Sequence, residues 1–430
     1  MEKILIENLG PIKHFETFLE SDLYTVIGEQ ASGKSTIAKS IFFFKSIGEE
    51  FEKFLMDELS IFAGGEIDVS LISFKKRLRT KFIELFGTTK HMMPFKMKYV
   101  SDNDEIVISL RRGYANIAFS KELSNQCYSA IMAARDYAEM MTAGTEMADF
   151  GLWIKRRDDL SDVIKNLSRK VFKQEYVSIF VPAGRSILAT NSEFFHAFTP
   201  NKYDILMNDF IERIRLLQKQ YSQSLEDIVE DRKKLSTVEI DFDSVKRAKS
   251  LVRKILKGDY INDQNGERIY YDGRRYVKLI QASSGQQEVL WIVLLLFSII
   301  LNKQKVFLTI EEPEAHVFPN AQKDIIELIA LMINSTDSTV VLTTHSPYVL
   351  TAENLLMYSS KVEGDSELEK SVVDRKYRID YKKVQSYLIK NQEIENIMDY
   401  ENAMIDATKI DEVSMLINES LDKLLDLEEN

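Results

Sequence analysis

Short apolar segments alternate with longer segments of helical spacing along this chain, a pattern that predicts an α/β fold. Apolar runs of strand length, bounded by glycine or polar residues, occur at Ile4–Ile6, Leu23–Ile27, Val177–Val181, Val306–Ile310 and Val340–Thr343. Segments without helix breakers predict helices at 36–46, 288–301 and 321–333, and helices are also predicted over 121–174. The 430 residues include only 16 Gly and 7 Pro, and so few breakers favour long helices.

The middle of the chain has a second pattern, in which three strand-like segments are separated by turn residues. Strands of an antiparallel sheet are predicted at Phe95–Val100, Glu105–Arg111 and Ala115–Phe119, and a hairpin is predicted from Glu267–Tyr271 and Tyr276–Ile280. The charged segment 203–257 predicts one or two helices of about 20 residues. The tail from residue 376 onward is predicted to be mostly helical.

The segment 28–35 reads GEQASGKS and matches the pattern GxxxxGK[ST] between a predicted strand and a predicted helix. Its glycines allow the backbone to approach an anion, so that N–H groups and the helix N-terminus can bind phosphates. Lys34 is expected to contact the β- and γ-phosphates, and the Ser35 hydroxyl is expected to bind Mg²⁺. The predicted phosphate-binding residues are Gly28, Gln30, Ala31, Ser32, Gly33, Lys34, Ser35 and Thr36.

Two acids and a histidine follow predicted buried strands. Glu311 and Glu312 come directly after one strand, and His345 comes after the next strand along the chain. Because parallel strands present their carboxyl ends at one edge of a sheet, we expect all three residues beside the segment 28–35, the phosphate-binding loop or P-loop. We assign Glu311 to Mg²⁺, through water, and Glu312 to general-base activation of the attacking water. His345 is expected to hydrogen-bond the γ-phosphate and the same water.

The segment Ser283-Ser284-Gly285-Gln286-Gln287 begins the apolar helix predicted at 288–301. A hydroxyl, a glycine and exposed N–H groups at a helix start can bind a phosphate. Since the P-loop already serves the phosphates of its own subunit, residues Ser283, Ser284, Gly285 and Gln286 are predicted to contact ATP held by another subunit. Taken alone, the segment would be interpreted as an ordinary N-cap.

The order of these four motifs along the chain resembles that of ABC-type ATPases. The segments EEPEAH at 311–316 and THSPY within 343–348 are similar to those of the branch containing RecF, Rad50 and the OLD-family ATPases. The resemblance covers 1–50 and 265–360. It implies an α/β P-loop ATPase head with a mixed sheet, an antiparallel β subdomain and a helical insertion. It also implies that ATP and Mg²⁺ lie between two heads, with Ser284 and Gly285 of one facing Lys34 and Glu312 of the other.

The resemblance divides the chain into four parts: the head at 1–60, the antiparallel sheet and helical insertion at 61–260, the rest of the head at 261–360 and a helical extension at 361–430. Two features depart from the ABC pattern. Gln30-Ala31 stands where many relatives have Asn-Gly, and no Q-loop glutamine can be assigned. Arg185 lies in the region of the Q-loop, and it either faces the phosphates or a partner head or has a structural role.

Composition and charge limit the remaining classes. The net charge of −11 argues against a surface devoted to nucleic acid, and the single cysteine, Cys127, excludes an intrachain disulfide. The longest apolar run, Val289–Leu301, is shorter than a membrane span, so a cytoplasmic protein without a membrane partner is predicted. An apolar stripe on the acidic C-terminal segment is predicted to pack on its own domain; it consists of Val413, Leu416, Ile417, Leu421 and Leu424.

A basic cluster is formed by Lys75, Lys76, Arg77, Arg79 and Lys81, and it is either a solvated face or a contact for a phosphate backbone. Two biological roles therefore stay open. In the first, the chain is the sensor or scaffold ATPase of a bacterial antiphage module, similar to the stand-alone ATPases of PARIS (AriA) or Septu (PtuA). It would then control a separate effector nuclease in response to DNA or a phage protein. In the second, it is a RecF-like DNA-repair clamp.

Overall fold

The computed structural model describes residues 1–59, 70–142, 150–190, 204–235, 240–362 and 372–406. Within these ranges the strands are β1 Glu2–Leu9, β2 Ile12–Phe18, β3 Leu23–Gly28, β4 Lys96–Ser101, β5 Asp104–Arg111, β6 Tyr114–Phe119, β7 Val177–Val181, β8 Asp259–Asp263, β9 Gly266–Tyr270, β10 Tyr276–Lys278, β11 Val306–Glu311, β12 Thr339–Thr344, β13 Val384–Lys390, β14 Glu393–Asn396, β15 Met398–Asp399 and β16 Met404–Ile405. The α-helices of these ranges are α1 Lys34–Lys45, α2 Ile47–Glu58, α3 Leu71–Phe86, α4 Lys121–Thr142, α5 Phe150–Phe172, α6 Ser186–Thr190, α7 Ile205–Gln220, α8 Leu225–Leu235, α9 Phe242–Leu256, α10 Ser284–Leu301, α11 Pro319–Thr336 and α12 Pro347–Lys361.

A mixed six-stranded sheet has the order β14-β13-β3-β12-β11-β7. Strands β13, β3, β12, β11 and β7 run parallel, and only β14 pairs antiparallel, with β13. The parallel strands are continuous apolar runs because helices cover both faces of the sheet. Strand β11, for example, is buried at every position. The α/β fold with a mixed sheet is thus confirmed.

A second, antiparallel sheet has the order β2-β1-β4-β5-β6. Strands β1 and β5 alternate buried and less buried positions, as expected when one face of a sheet is covered. The predicted hairpin is confirmed in β9 and β10, which pair Tyr270 with Tyr276. Strand β8, which was not predicted, adds a third strand to that hairpin.

The hydrophobic core occupies both faces of the mixed sheet. Helix α10 is buried from Gln287 to Leu301 and contributes Trp291 to the core on one face. The other face is covered by an aromatic group that includes Phe43, Phe51 and Phe74. By length and composition, α10 could span a membrane. However, 78% of its 18 residues are buried inside the protein, as in the core helix of a folded domain.

Two predictions require correction, and a third is not tested. The tail is not mostly helical, because residues 384–396 form β13 and β14 and complete the mixed sheet beside β3. The segment 203–257 contains three helices, α7, α8 and α9, where one or two longer helices were predicted. The apolar stripe from Val413 to Leu424 lies outside the described residues.

The boundaries predicted at residues 60 and 260 do not follow the sheets. Strands β1 and β2 pair with β4 in the antiparallel sheet, although they were assigned to the head. Conversely, β7 from the predicted insertion is the edge strand of the mixed sheet and pairs with β11. Chain segments on both sides of each boundary therefore share one hydrogen-bonded structure.

Candidate active site

The loop between β3 and α1 has a backbone that its glycines make possible. Gly33 is the N-cap of α1 and has φ 113°, a conformation that strains residues with a side chain. A Cβ at Gly33 would lie 2.4 Å from the Ile12 Cδ1 atom, and one at Gly28 would lie 2.7 Å from the Ile389 carbonyl oxygen. Neighbouring chain segments therefore press the loop from two sides. No side chain caps α1, so its first N–H groups can bind an anion.

Lys34 is buried and turns back over this loop. Its Nζ atom donates to the carbonyl oxygens of Gly28 at 2.9 Å and Glu29 at 2.8 Å. The Nζ atom also lies 3.4 Å from Nδ1 of His345. Burial lowers the pKa of Lys34, whereas the carboxylates of Glu312 and its neighbours act in the opposite direction. The ammonium group is thus held by two loop carbonyl oxygens and lies beside the imidazole of His345, at the N-terminus of α1.

The two predicted acids lie where β11 ends. Glu311 is buried, and its Oε2 atom accepts a hydrogen bond of 3.3 Å from the backbone N–H of Ala183. Glu312 has φ 45°, a left-handed conformation that is uncommon for a residue with a side chain, and its N–H donates to the Thr343 carbonyl at 2.9 Å. This turn directs the carboxylate of Glu312 away from that of its neighbour, towards the end of β12.

His345 meets Glu312 at this edge of the sheet, as predicted. The Nε2 atom of His345 lies 2.8 Å from Oε1 of Glu312. Because an ammonium group can only donate, Lys34 requires Nδ1 of His345 to accept, and the Nε2–H group must then donate to the carboxylate. A neutral histidine with its proton on Nε2 therefore links Lys34 to Glu312. Both the His345 and the Glu312 side chains are about one-third exposed, so the pair faces solvent.

Glu314 orients His345, a role that the sequence did not reveal. Its Oε1 atom accepts hydrogen bonds from the Thr344 hydroxyl at 2.7 Å and from the backbone N–H of His345 at 2.8 Å. The carboxylate thus fixes the backbone from which the imidazole extends. Glu311 and Glu312 were recognised from the sequence, but the partners of Glu314, the third acid of the segment 311–316, could be found only from the tertiary contacts.

Three buried oxygen atoms in the site have no hydrogen-bond partner among the described residues. They are Oγ of Ser32, Oε1 of Glu311 and Oε2 of Glu314. A serine hydroxyl beside helix N–H groups suits a phosphate, and a carboxylate oxygen together with the Ser35 hydroxyl suits Mg²⁺, which binds one or two protein oxygens and the substrate phosphates. Ser35 is exposed at the first turn of α1. The residues present therefore fit magnesium and a nucleoside triphosphate.

The segment 283–287 begins α10 at an exposed position. Ser283 is the N-cap and forms a capping box with Gln286, whose side chain also donates to the Leu256 carbonyl at 2.8 Å. The side chains of Ser283 and Gln286 are thus engaged within the chain. The Ser284 side chain is exposed and makes no hydrogen bond within the described residues. Of the four predicted contacts to a neighbour's ATP, Ser284 is the one with an unengaged hydroxyl.

Gly285 has a reason to be glycine within its own chain. A Cβ there would lie 2.7 Å from the carbonyl oxygen of His316, which follows the acidic segment and has φ 59°. The helix start therefore rests directly on the backbone downstream of Glu312. This contact brings the segment 283–287 next to the acidic segment 311–316, although about 30 residues separate them in sequence.

Arg185 has the structural role that was left as one alternative. Its side chain is fully buried and donates three hydrogen bonds of 2.7–2.8 Å to carbonyl oxygens, namely those of Pro182, Glu311 and Glu312. Burial lowers the pKa of Arg185, and the carboxylate of Glu288 is the largest influence raising it. A guanidinium group so enclosed cannot face solvent or the nucleotide directly.

A comparison with protein families now bears on this arrangement. The family described as AAA ATPase domain matches residues 1–221 and 184–350, which is more than half of the chain. The chain belongs to this AAA ATPase domain family. The P-loop, the acids and His345 are thus parts of an ATPase domain, and no curated protein matches the sequence.

Solved structures with similar folds to this AAA ATPase domain include three heads of SMC proteins. One is an SMC head bound to the C-terminal winged-helix domain of ScpA, with 11% identity, a TM-score of 0.42 and coverage of 93% of this chain and 98% of that chain. Another is the SMC head domain from Thermotoga maritima, with 11% identity, a TM-score of 0.35 and coverage of 92% and 98%. The third, the Pyrococcus furiosus Smc head with an extended coiled coil, has 12% identity, a TM-score of 0.40 and coverage of 98% and 100%.

The basic cluster of this AAA ATPase is largely used for internal contacts. Lys81 is buried and pairs with Glu50 at 2.8 Å, and Arg77 pairs with Asp57 at 2.7 Å. The Nε atom of Arg79 donates to the Ala115 carbonyl, and the ammonium group of Lys75 lies 4.8 Å from the centre of the Phe119 ring. Most of these charges are therefore neutralised or held against their own domain, which leaves little free positive surface on α3.

Proposed function

We propose that this protein hydrolyses ATP in a site completed by a second copy of the chain. The observation that supports this most strongly is the contact of Lys34, His345 and Glu312 at one edge of the mixed sheet. These three residues come from three different motifs, and each has the chemistry that phosphoryl transfer to water requires. A structural cluster would have no need of a P-loop lysine and a solvent-facing glutamate together.

In this proposal the N-terminus of α1 and the ammonium group of Lys34 bind the β- and γ-phosphates. Ser35 and Glu311 hold Mg²⁺, which neutralises charge on the phosphates when it is bound. The carboxylate of Glu312 accepts a proton from the attacking water, and His345 holds that carboxylate in place through its Nε2–H group. Since Glu312 is only partly buried, a water molecule can reach its second oxygen atom.

The second copy supplies the exposed start of α10. Its Ser284 hydroxyl and the N–H groups of its first turn bind the γ-phosphate of the ATP held by the first copy. By symmetry the same contact occurs twice, so the dimer has two equivalent sites. The exposure of Ser283 and Ser284 supports this role, because a helix start buried in its own core could not reach a neighbour's nucleotide.

The substitution Glu312→Gln tests the proposal. The amide keeps the size of the side chain and can still accept the bond from His345, but it cannot take a proton. ATP binding should therefore survive while hydrolysis falls by about 10²–10⁴-fold, and light scattering should show an ATP-dependent dimer. Unchanged turnover would refute the assignment of the base, and a monomer that binds ATP at saturating concentration would refute the second copy's role.

The biological role that we propose is the sensor or scaffold ATPase of an antiphage module with a separate effector nuclease. It rests on the resemblance of segments 311–316 and 343–348 to OLD-family ATPases and to the ATPases of PARIS and Septu systems. Expression of the chain with its neighbouring genes, followed by phage challenge, tests this role. Protection that is lost with Lys34→Ala would support it; the absence of protection and of any co-purifying nuclease would oppose it.

The RecF-like clamp is the less favoured alternative. Its motivation was the basic cluster on α3, and those side chains mostly serve internal ion pairs. Salt-sensitive, ATP-dependent DNA binding would nevertheless revive it. Lys76, which is exposed, is a better probe than Arg77, because reversal of the charge at Arg77 would break ion pairs with Asp57 and Glu50.

A further inference from the structure

Arg185 connects two parts of the site that the proposed reaction needs to act together. It lies just after β7, has 0% exposure, and takes no part in the chemistry described above. Its backbone N–H donates to the carboxylate of Glu288 at 3.0 Å, and its Nε atom donates to the Glu288 carbonyl at 3.1 Å. Glu288 is in the second turn of α10, four residues after Ser284.

Glu288 is bound tightly to this arginine segment. Its side chain is 2% exposed, and its second carboxylate oxygen accepts from the N–H of Ser186 at 2.9 Å. A buried carboxylate that lost these donors would be left uncompensated, which is costly in a protein interior. Any displacement of the start of α10 that preserves these bonds must therefore move Arg185 as well.

The other end of the arginine holds the backbone of the two acids. Its Nη1 atom donates to the Glu311 carbonyl at 2.7 Å, and its Nη2 atom donates to the Glu312 carbonyl at 2.8 Å. Glu312 has the left-handed backbone conformation, which needs support from its surroundings to persist. One planar guanidinium group thus fixes the two peptide units from which the reacting carboxylates extend.

We infer that Arg185 is a positioning residue that couples contact at the start of α10 to the alignment of the Glu312 carboxylate. The inference rests on the proposed function, because the contact at α10 is the ATP of the second copy. Binding of that triphosphate by Ser284 pulls on α10, and the Glu288–Arg185 pair transmits the displacement to the peptide units of Glu311 and Glu312. The Gly285–His316 contact provides a parallel connection from the same helix start to the same loop.

The substitution Arg185→Lys tests the inference because it keeps the positive charge but replaces the planar guanidinium group and its several N–H donors with a single ammonium group. We expect kcat to fall about 10–100-fold, as misplacement of a reacting group by about 1 Å can do, while the KM for ATP stays within about threefold. Arg213→Lys is the matched control: Arg213 likewise donates to a backbone carbonyl beside the mixed sheet, that of Ser178 in β7, but it donates to neither acid. The control should leave kcat unchanged.

A second variant, Glu288→Gln, weakens the same connection on the α10 side. It replaces Arg185→Lys as the test if that variant fails to fold. It should also lower kcat with little effect on KM, and the double variant should be no slower than the slower single variant, since both break one connection. In the Glu312→Gln background, Arg185→Lys should still dimerise with ATP. A normal kcat in either folded variant, or a rise in KM that accounts for the loss, would overturn the inference. Failure of Glu312→Gln itself to dimerise would instead reject the proposed function.

Discussion

Glu353 is a carboxylic acid enclosed within the core beneath the P-loop strand, and its titration should make the protein's stability depend on pH. It has 0% exposure, and its two oxygen atoms accept from the Thr25 hydroxyl at 2.9 and 3.1 Å. Burial raises the pKa of Glu353 from 4.5 to about 8, although the hydrogen bond from Thr25 acts in the opposite direction. The neutral acid is therefore the form that the folded protein accommodates at neutral pH.

The sign of the effect follows from proton binding in the two states. Below pH 4.5 the carboxyl is protonated in both the folded and the unfolded protein, so its contribution to stability is complete. Between that pH and about pH 8 the unfolded chain releases the proton while the folded protein retains it, and stability falls as pH rises. At about 1.4 kcal/mol per pH unit, the loss from pH 6 to pH 8 is about 2 kcal/mol.

The substitution Glu353→Gln removes this titration while keeping an oxygen atom to accept from Thr25. Urea unfolding of the wild type and the variant should be compared at pH 6, 7 and 8. The free energy of unfolding of the variant, relative to the wild type, should increase by about 2 kcal/mol over this range. Glu393→Gln, on the exposed edge strand β14, is the control and should show no such trend. Parallel pH profiles for wild type and Glu353→Gln would refute the argument.

Two further predictions concern the P-loop. Lys34→Ala should abolish binding of a fluorescent ATP analogue, because no other ammonium group of the described residues donates to these loop carbonyls. Lys39→Ala on the same helix should bind the analogue normally, and equal binding by both variants would contradict the role of Lys34. Gly28→Ala should lower the free energy of unfolding by about 1–3 kcal/mol, because the added Cβ atom would lie 2.7 Å from the carbonyl oxygen of Ile389. A variant that is as stable as the wild type in thermal unfolding would show that β13 does not restrict the loop at this position.

The positions of the candidate site residues could be predicted from sequence because each lies in a short motif. Glycines at 28 and 33, with the lysine beside them, specify a loop conformation and an anion site in one short segment. Glu312 and His345 each follow a buried parallel strand, and the parallel arrangement alone brings such residues to one edge. The observed 2.8 Å contact between them confirms that reasoning.

The parts that escaped prediction depend on contacts between distant segments. The four carbonyl groups that the Arg185 side chain binds give no signal in the sequence, because any residue supplies a carbonyl. Strand β13 was missed although Tyr387–Ile389 is an apolar run of strand type. Its hairpin turns at Asn391 and Gln392, which both have positive φ, and glutamine is not a residue that usually marks such a turn.

Mixing two inactive variants tests most directly whether the site is shared between copies. Lys34→Ala lacks the phosphate contact of the P-loop, and Ser284→Arg places a bulky charge at the helix start that would face a neighbour's ATP. In an equal mixture, a mixed dimer contains one site with both parts intact, so ATP hydrolysis should rise to about a quarter of the wild-type rate per subunit. If mixed dimers form but hydrolysis stays at the sum of the two separate variants, each subunit works alone and the account of a shared site is wrong.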